Sequence, residues 1–211
     1  MTRFGSDTTP ETIYFYSDNF RLKGDFHLPD RQKPPVVIGS HGLFADRRSP
    51  KQRALAQACF SAGIAYFRFD HRGCGESQGD FSQKISFEAR CRDLFTACEV
   101  IKKRSDTGNR IGLFGSSMGG AAALFAASQV KFDSVITFAA PFCSGCVREA
   151  IKKSGQMEEN FSVQNYGLLE FDLTERLTEI ENILIIHGEA DEIVPVSHAH
   201  KIFDKASPPK E

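Results

Sequence analysis

Ser117 lies at the centre of Gly115-Ser116-Ser117-Met118-Gly119, a G-x-S-x-G pentad. A short apolar run, Ile111 to Phe114, leads into it, and an alanine-rich segment, Ala121 to Ala127, leads out. This pattern predicts a strand, a sharp turn and a helix, the context in which a serine hydroxyl becomes a nucleophile. Such a turn strains the backbone at the serine and tolerates little bulk beside it. Gly115 and Gly119 meet that need, and Gly120 lets the helix lie close to the sheet. At a helix N-terminus, free N–H groups and the helix dipole favour developing negative charge. The chemistry that fits is acyl transfer, which also needs a base, a group to orient it and donors for the oxyanion.

The backbone N–H of Met118, just after the nucleophile, is one candidate donor. The second is the N–H of Leu43 in the loop His41-Gly42-Leu43, which follows the apolar run Val36 to Ser40. Gly42 permits close backbone approach there, and His41 reads as a structural residue that hydrogen-bonds the loop. For the orienting acid, Asp191 stands on the loop Gly188-Glu-Ala-Asp-Glu-Ile-Val-Pro195, after the run Asn182 to Ile186. Glu189 and Glu192 rival it by charge, but only Asp191 is followed by the Ile-Val-Pro turn. His198 and His200 alone follow Asp191, both at the start of the last helical segment, where surface or capping roles suit them. Phe44, Phe142, Phe161 and Phe171 would suit an apolar acyl or aromatic group.

The elements that must position these residues alternate in type. Thr12–Tyr16 and Leu22–Leu28 read as an opening hairpin, and Val36–Ser40, Ile64–Phe69, Ile111–Phe114, Ser134–Ala140 and Asn182–Ile186 as further strands. Helices are predicted from Ser49-Pro50 to Gly63, with Leu55, Ala58, Cys59 and Ala62 on its apolar face, from Ser86 to Arg104, through Ala121–Ala127, and over Ser197–Ala206. This is an α/β chain with a mainly parallel sheet, a single domain over residues 1–211. Residues 142–182 break the rhythm and read as a cap or lid above the strand ends, with a helix near Val147 to Lys153.

At 211 residues, with 41% hydrophobic and 25% charged, the chain suits one globular domain. A net charge of −1 gives no electrostatic case for nucleic acid or an anionic membrane. The N-terminus lacks an apolar leader core, and no run approaches the ~18 apolar residues of a membrane span, so a cytoplasmic protein is expected. The six cysteines show no disulfide framework. Cys143-x-x-Cys146 lacks the second pair a zinc site needs and reads as buried thiols. No metal or cofactor is expected, and a phosphate-binding G-x-x-x-x-G-K loop is absent.

Taken together, the chain resembles the α/β-hydrolase superfamily of serine esterases, lipases and peptidases. The resemblance rests on His41-Gly42-Leu43, Arg68-x-Asp70-x-Arg72-Gly73-x-Gly75-Glu76-Ser77, Gly115-x-Ser117-x-Gly119 and His187-Gly188-x-x-Asp191-x-x-Val194-Pro195, in the family's order. Within it, the short cap and the His-Gly loop look most like small bacterial carboxylesterases of the cinnamoyl and feruloyl type. The resemblance implies a twisted sheet with helices on both faces, a small-molecule ester as substrate, and Asp70–Ser77 as a structural turn. It also implies a base histidine after one more helix and one more strand beyond the acid. The stretch from Asp191 to Glu211 has room for that helix but not for the strand. The edge strand is therefore expected to be missing, Ser207-Pro-Pro-Lys-Glu211 to be a linker, and the base to lie outside residues 1–211. The same site would serve a thioesterase or peptidase. A non-catalytic protein of this fold, binding an apolar ligand or partner, is the reading from another class.

Overall fold

Alternating apolar residues build the opening hairpin. In the computed structural model, which describes residues 9–81, 86–145 and 167–211, β1 (Glu11–Ser17) and β2 (Phe20–His27) pair antiparallel. Phe15, Leu22 and Phe26 turn inward, and Tyr14 and Tyr16 face solvent. The near-continuous apolar runs that follow become β3 (Val36–Ser40), β4 (Ala65–Phe69), β5 (Ile111–Ser116), β6 (Ser134–Phe138) and β7 (Ile183–Ile186). They lie in the order β1-β2-β4-β3-β5-β6-β7, antiparallel across β1, β2 and β4 and parallel from β4 to β7. Strands of a parallel sheet are covered on both faces, which is why their sequences do not alternate.

Among the described residues, α1 (Pro50–Ser61), α2 (Phe87–Lys102) and α3 (Met118–Ala127) connect successive parallel strands, and α4 (Ser197–Lys205) follows β7. Pro50 opens α1 as predicted, but its inward face is corrected. Gln52 and Ala56 are buried, Leu55 and Cys59 half-buried, while Ala58 and Ala62 are exposed. The Tyr66 hydroxyl donates to Gln52 Oε1 at 2.8 Å and so draws a polar residue under the helix. For α2, Ser86 accepts the Ala89 N–H at 3.0 Å, and of the apolar positions 87, 91, 94, 95, 98 and 101 that fit a 3.6-residue period, all are buried but Phe95, which is half-buried. Helix α3 packs against α2 and β5, its alanines allowing close approach.

The turn after β4 is structural, as expected. Asp70 is fully buried and accepts the N–H groups of Arg47 (2.7 Å) and Glu76 (2.9 Å), besides an ion pair with the Arg47 guanidinium.

Two stems of the expected cap meet at its base. Ser144 N–H donates to Phe171 O at 2.9 Å and Leu173 N–H to Phe142 O at 2.8 Å, followed by a 3-10 turn at Thr174–Glu179. The helix expected near Val147 to Lys153, Cys146 and Phe161 lie outside the described residues.

Pro209–Glu211 is not a free linker. Ile183 N–H donates to Pro209 O at 3.2 Å, Glu211 N–H to Ile183 O at 2.9 Å, and Ile185 N–H to Glu211 O at 2.8 Å. The last residues thus lie parallel to β7 at the sheet edge, with proline at the first position, where a missing N–H is tolerated. Among the described residues no helix is long and apolar enough to cross a membrane.

Candidate active site

The junction of β5 and α3 bends as the pentad requires. Ser117 sits at φ 51° and ψ −122°, a left-handed conformation costly for a residue with a Cβ. It is held there by its N–H, which donates to Phe138 O at 2.9 Å, and by its carbonyl, which accepts Ala121 N–H at 3.0 Å. The glycines around it are dictated by contact. A Cβ on Gly119 would run into the carbonyls of Ser40 and His41, one on Gly115 into Gly119 and Gly120, and one on Gly120 into Ala140 at 2.6 Å.

The loop after β3 faces Ser117 across Gly42. A Cβ built on Gly42 would lie 3.7 Å from Ser117 Cβ, an ordinary contact. The loop runs beside Ser117, as the reading of Gly42 expects, and the space there would also admit alanine. Leu43 and Met118 are both buried.

A polar network that the motifs do not reveal holds this loop from below. His41 Nδ1–H donates to Gly42 O at 2.7 Å, and its Nε2 accepts the His71 N–H at 3.2 Å, which bears out its structural reading. Arg90, fully buried on α2, donates to the carbonyls of His41 (3.0 Å), Gly42 (3.3 Å) and Leu43 (3.0 Å). Asp93, one turn on, accepts Arg72 N–H at 2.9 Å and the Arg72 side chain at 2.6 and 3.0 Å. The only sequence signal for Arg90 and Asp93 is their place in the helical period, interleaved with Phe87, Cys91 and Leu94 on the buried stripe.

Ser40, His71 and Asp93 form a second Ser-His-Asp arrangement. Ser40 Oγ is 2.9 Å from His71 Nε2, and Asp93 Oδ2 is 3.6 Å from His71 Nδ1. All three have no exposed surface, so no substrate reaches them, and the arrangement is a buried strut.

That strut gives stability a pH dependence. Burial and the nearby Arg90 hold the His71 imidazole neutral, pushing its pKa down to about 4 from 6.5. The unfolded chain takes up this proton below about pH 6.5 and the folded chain only near pH 4, so stability falls as pH drops through that window. His71 alone accounts for about 3 kcal/mol across it. Burial lowers the pKa values of His41 and His198 as well, so the losses add. The urea midpoint should therefore fall steadily from pH 7 to 4.5, and a His71→Asn variant should show a shallower slope. A wild-type midpoint flat over that range contradicts this account.

On the acid loop, Asp191 Oδ1 accepts the N–H groups of Ile193 (2.9 Å) and Val194 (2.8 Å), which fixes the carboxylate on its turn. Its other oxygen lies 4.0 Å from His187 Nε2, which donates to Val194 O at 2.7 Å. The ends of β5, β6 and β7 are tied in sequence by Ser117 N–H to Phe138 O and Ala139 N–H to Ile186 O. Ser117 and the acid loop therefore rise from the same edge of the sheet. His198 is not a helix-surface residue: it is buried, and its Nδ1 accepts Phe142 N–H at 3.2 Å, tying α4 to the segment after β6. His200 is exposed on α4.

The phenylalanines are dispersed. Phe171 stacks on Phe87, centroids 4.1 Å apart, and Phe142 leans on the His198 ring at 4.6 Å. Phe44, nearly half exposed, meets Phe81 at 5.6 Å. These two line a groove of about 890 Å³ together with Leu43, Pro50 and Cys74, and with the polar Asp46, Arg48 and Ser49.

The family described as serine aminopeptidase, S33, matches residues 32–166. The uncharacterized protein YfhR of Escherichia coli O157:H7 is 32% identical over 224 residues, covering 98% of this chain and 72% of its own. Among solved structures, the α/β hydrolase GrgF from Penicillium sp. sh18 superposes with a TM-score of 0.82 at 20% identity, covering 97% of this chain and 88% of that one. Est1E from Butyrivibrio proteoclasticus, solved with ferulic acid bound, gives 0.77 at 19% identity, covering 92% and 85%. At such identities the superpositions show an α/β-hydrolase fold, while the match over residues 32–166 carries the family. The chain belongs to the serine aminopeptidase S33 family of α/β-hydrolases.

Proposed function

We propose that this chain is the body of a serine hydrolase that cleaves small carboxylic esters through an acyl-enzyme on Ser117. The observation that carries the reading is the strained Ser117, at φ 51°, set against the Gly42 backbone at the head of a buried helix. The Ser117 side chain makes no capping hydrogen bond to α3, and backbone strain of this kind persists where a site uses it.

Ser117 Oγ attacks the ester carbonyl, and the Met118 and Leu43 N–H groups receive the oxyanion. Asp191 orients a histidine base from outside residues 1–211. Support for that origin comes from the six histidines present. His27, His41, His71, His187 and His198 have ring nitrogens engaged elsewhere, and His200 is exposed on the last helix. The apolar part of the ester fits the groove between Phe44 and Phe81, which adjoins Leu43. Free thiols at Cys59, Cys74, Cys91 and Cys98 agree with a reducing, cytoplasmic setting.

A fluorophosphonate probe tests this reading on the 211-residue chain, with Ser117→Ala as control and p-nitrophenyl acetate hydrolysis run with and without added imidazole. Labelling at Ser117 is expected, together with ester turnover that rises with imidazole, which stands in for the missing base. A folded chain that is neither labelled nor active with imidazole overturns the hydrolase reading in favour of a non-catalytic ligand-binding protein.

A further inference from the structure

Arg90 is buried in the core with no carboxylate bonded to it among the described residues, though the Asp93 carboxylate acts on it from a distance. It has no exposed surface and makes no ion pair among the described residues, and its Nε has no hydrogen-bond partner. A buried guanidinium in that state is expensive, and a helix position facing the core would ordinarily hold an aliphatic side chain. What it gains is three backbone carbonyls in succession, those of His41, Gly42 and Leu43, with Cys74 Sγ at 3.6 Å as its remaining contact.

Three converging carbonyls fix three peptide planes. In a trans peptide the N–H points opposite to the C=O. With the Gly42 carbonyl drawn to Arg90 and His41 Nδ1, the Leu43 N–H of the same peptide is turned away from both. A Cβ built on Gly42 would lie 3.6 Å from Ser116 O and 3.7 Å from Ser117 Cβ, so this loop runs beside the nucleophile. Donors on a carbonyl oxygen also polarise its peptide, so the N–H beyond becomes a stronger donor. A positive charge supplies this more strongly than a neutral donor.

We propose that Arg90 is a positioning residue for the oxyanion donors, fixing and polarising the Gly42–Leu43 peptide so that the Leu43 N–H faces Ser117. The proposal rests on the hydrolase reading above and adds a residue that the superfamily motifs of this chain do not contain.

The test compares wild type with Arg90→Met, which keeps an unbranched chain of similar length without charge, and Arg90→Lys, which keeps the charge. Arg90→Gln replaces the methionine variant if that one does not fold. Three readouts are taken: the fluorophosphonate labelling rate at Ser117, the KM for p-nitrophenyl acetate with imidazole, and hydrogen–deuterium exchange of residues 41–44. Arg90→Met should label about 10- to 100-fold more slowly, short of the ~10²–10³-fold cost of deleting an oxyanion donor outright. Arg90→Lys should recover part of that loss, and the KM for p-nitrophenyl acetate with imidazole should stay near wild type. A purely structural role would instead lower labelling only in proportion to the unfolded fraction. A folded Arg90→Met or Arg90→Gln that labels at the wild-type rate overturns the proposal. If wild type is neither labelled nor active with imidazole, the hydrolase reading fails, and exchange decides the clamp separately: faster exchange confined to residues 41–44 supports it, and unchanged exchange overturns it.

Discussion

Asp93→Ala is expected to cost about 3–5 kcal/mol of folding stability, the range for breaking a buried ion pair by removing one partner. Asp93 has no exposed surface, and Arg72 is almost fully buried. Burial alone would push the Asp93 carboxyl up, but the adjacent His71 and the bonded Arg72 more than offset it and bring the pKa down to about 2. Without that carboxylate, Arg72 keeps Asp18 (2.7 Å), which is exposed, Ser17 Oγ (2.9 Å) and the face of the Phe20 ring (5.1 Å to its centroid). The orphaned cation, rather than the lost attraction, dominates the cost. Arg72→Met combined with Asp93→Leu should therefore recover much of what Asp93→Ala loses, because apolar pairs of similar volume often match a buried ion pair. Urea denaturation measures both. A loss below about 1 kcal/mol for Asp93→Ala, in a range where surface substitutions fall, would show that the strut is not needed.

Ser117→Gly should make the protein more stable and chemically inert at once. A non-glycine residue in a sparsely populated backbone region costs about 1–3 kcal/mol. Glycine accepts φ 51° freely, but returns about 0.5–1 kcal/mol through the greater freedom of its unfolded chain. The net expectation is a gain of about 1 kcal/mol, which for a chain of this size raises Tm by about 2–4 °C. Ser117→Ala separates the causes. It keeps the Cβ and hence the strain, so it should abolish fluorophosphonate labelling without a rise in Tm. Equal Tm values for the glycine and alanine variants would mean that the turn stores no strain at Ser117, and the argument from strain to function would fall with it.

Local patterns carried much of this protein. The pentad at 115–119 announced itself because the steric needs of the turn are met by residues next to it in the chain. The apolar runs of β3 to β7 and the α2 stripe were equally plain, since periodicity and capping are short-range properties. The face of α1 was misjudged because Gln52 is drawn inward by Tyr66, 14 positions along the chain, and no helical period records such a partner. Ser207–Glu211 read as a linker because two prolines usually break structure. Its pairing with β7 needs only alternate backbone groups, which the side chains do not disclose.

The sequence by itself determined that a serine sits on a strand-turn-helix elbow in a mainly parallel sheet, with an acid loop following a later strand. Only the tertiary structure decided what holds the His41–Leu43 loop against that serine, and what occupies each histidine. Those assignments depend on Arg90, Asp93 and His71, charged or ionisable residues distant in sequence from the groups they bind. Burying them is worthwhile only when several hydrogen bonds form together in one place. That condition belongs to the folded packing and leaves no trace in any short stretch of the chain.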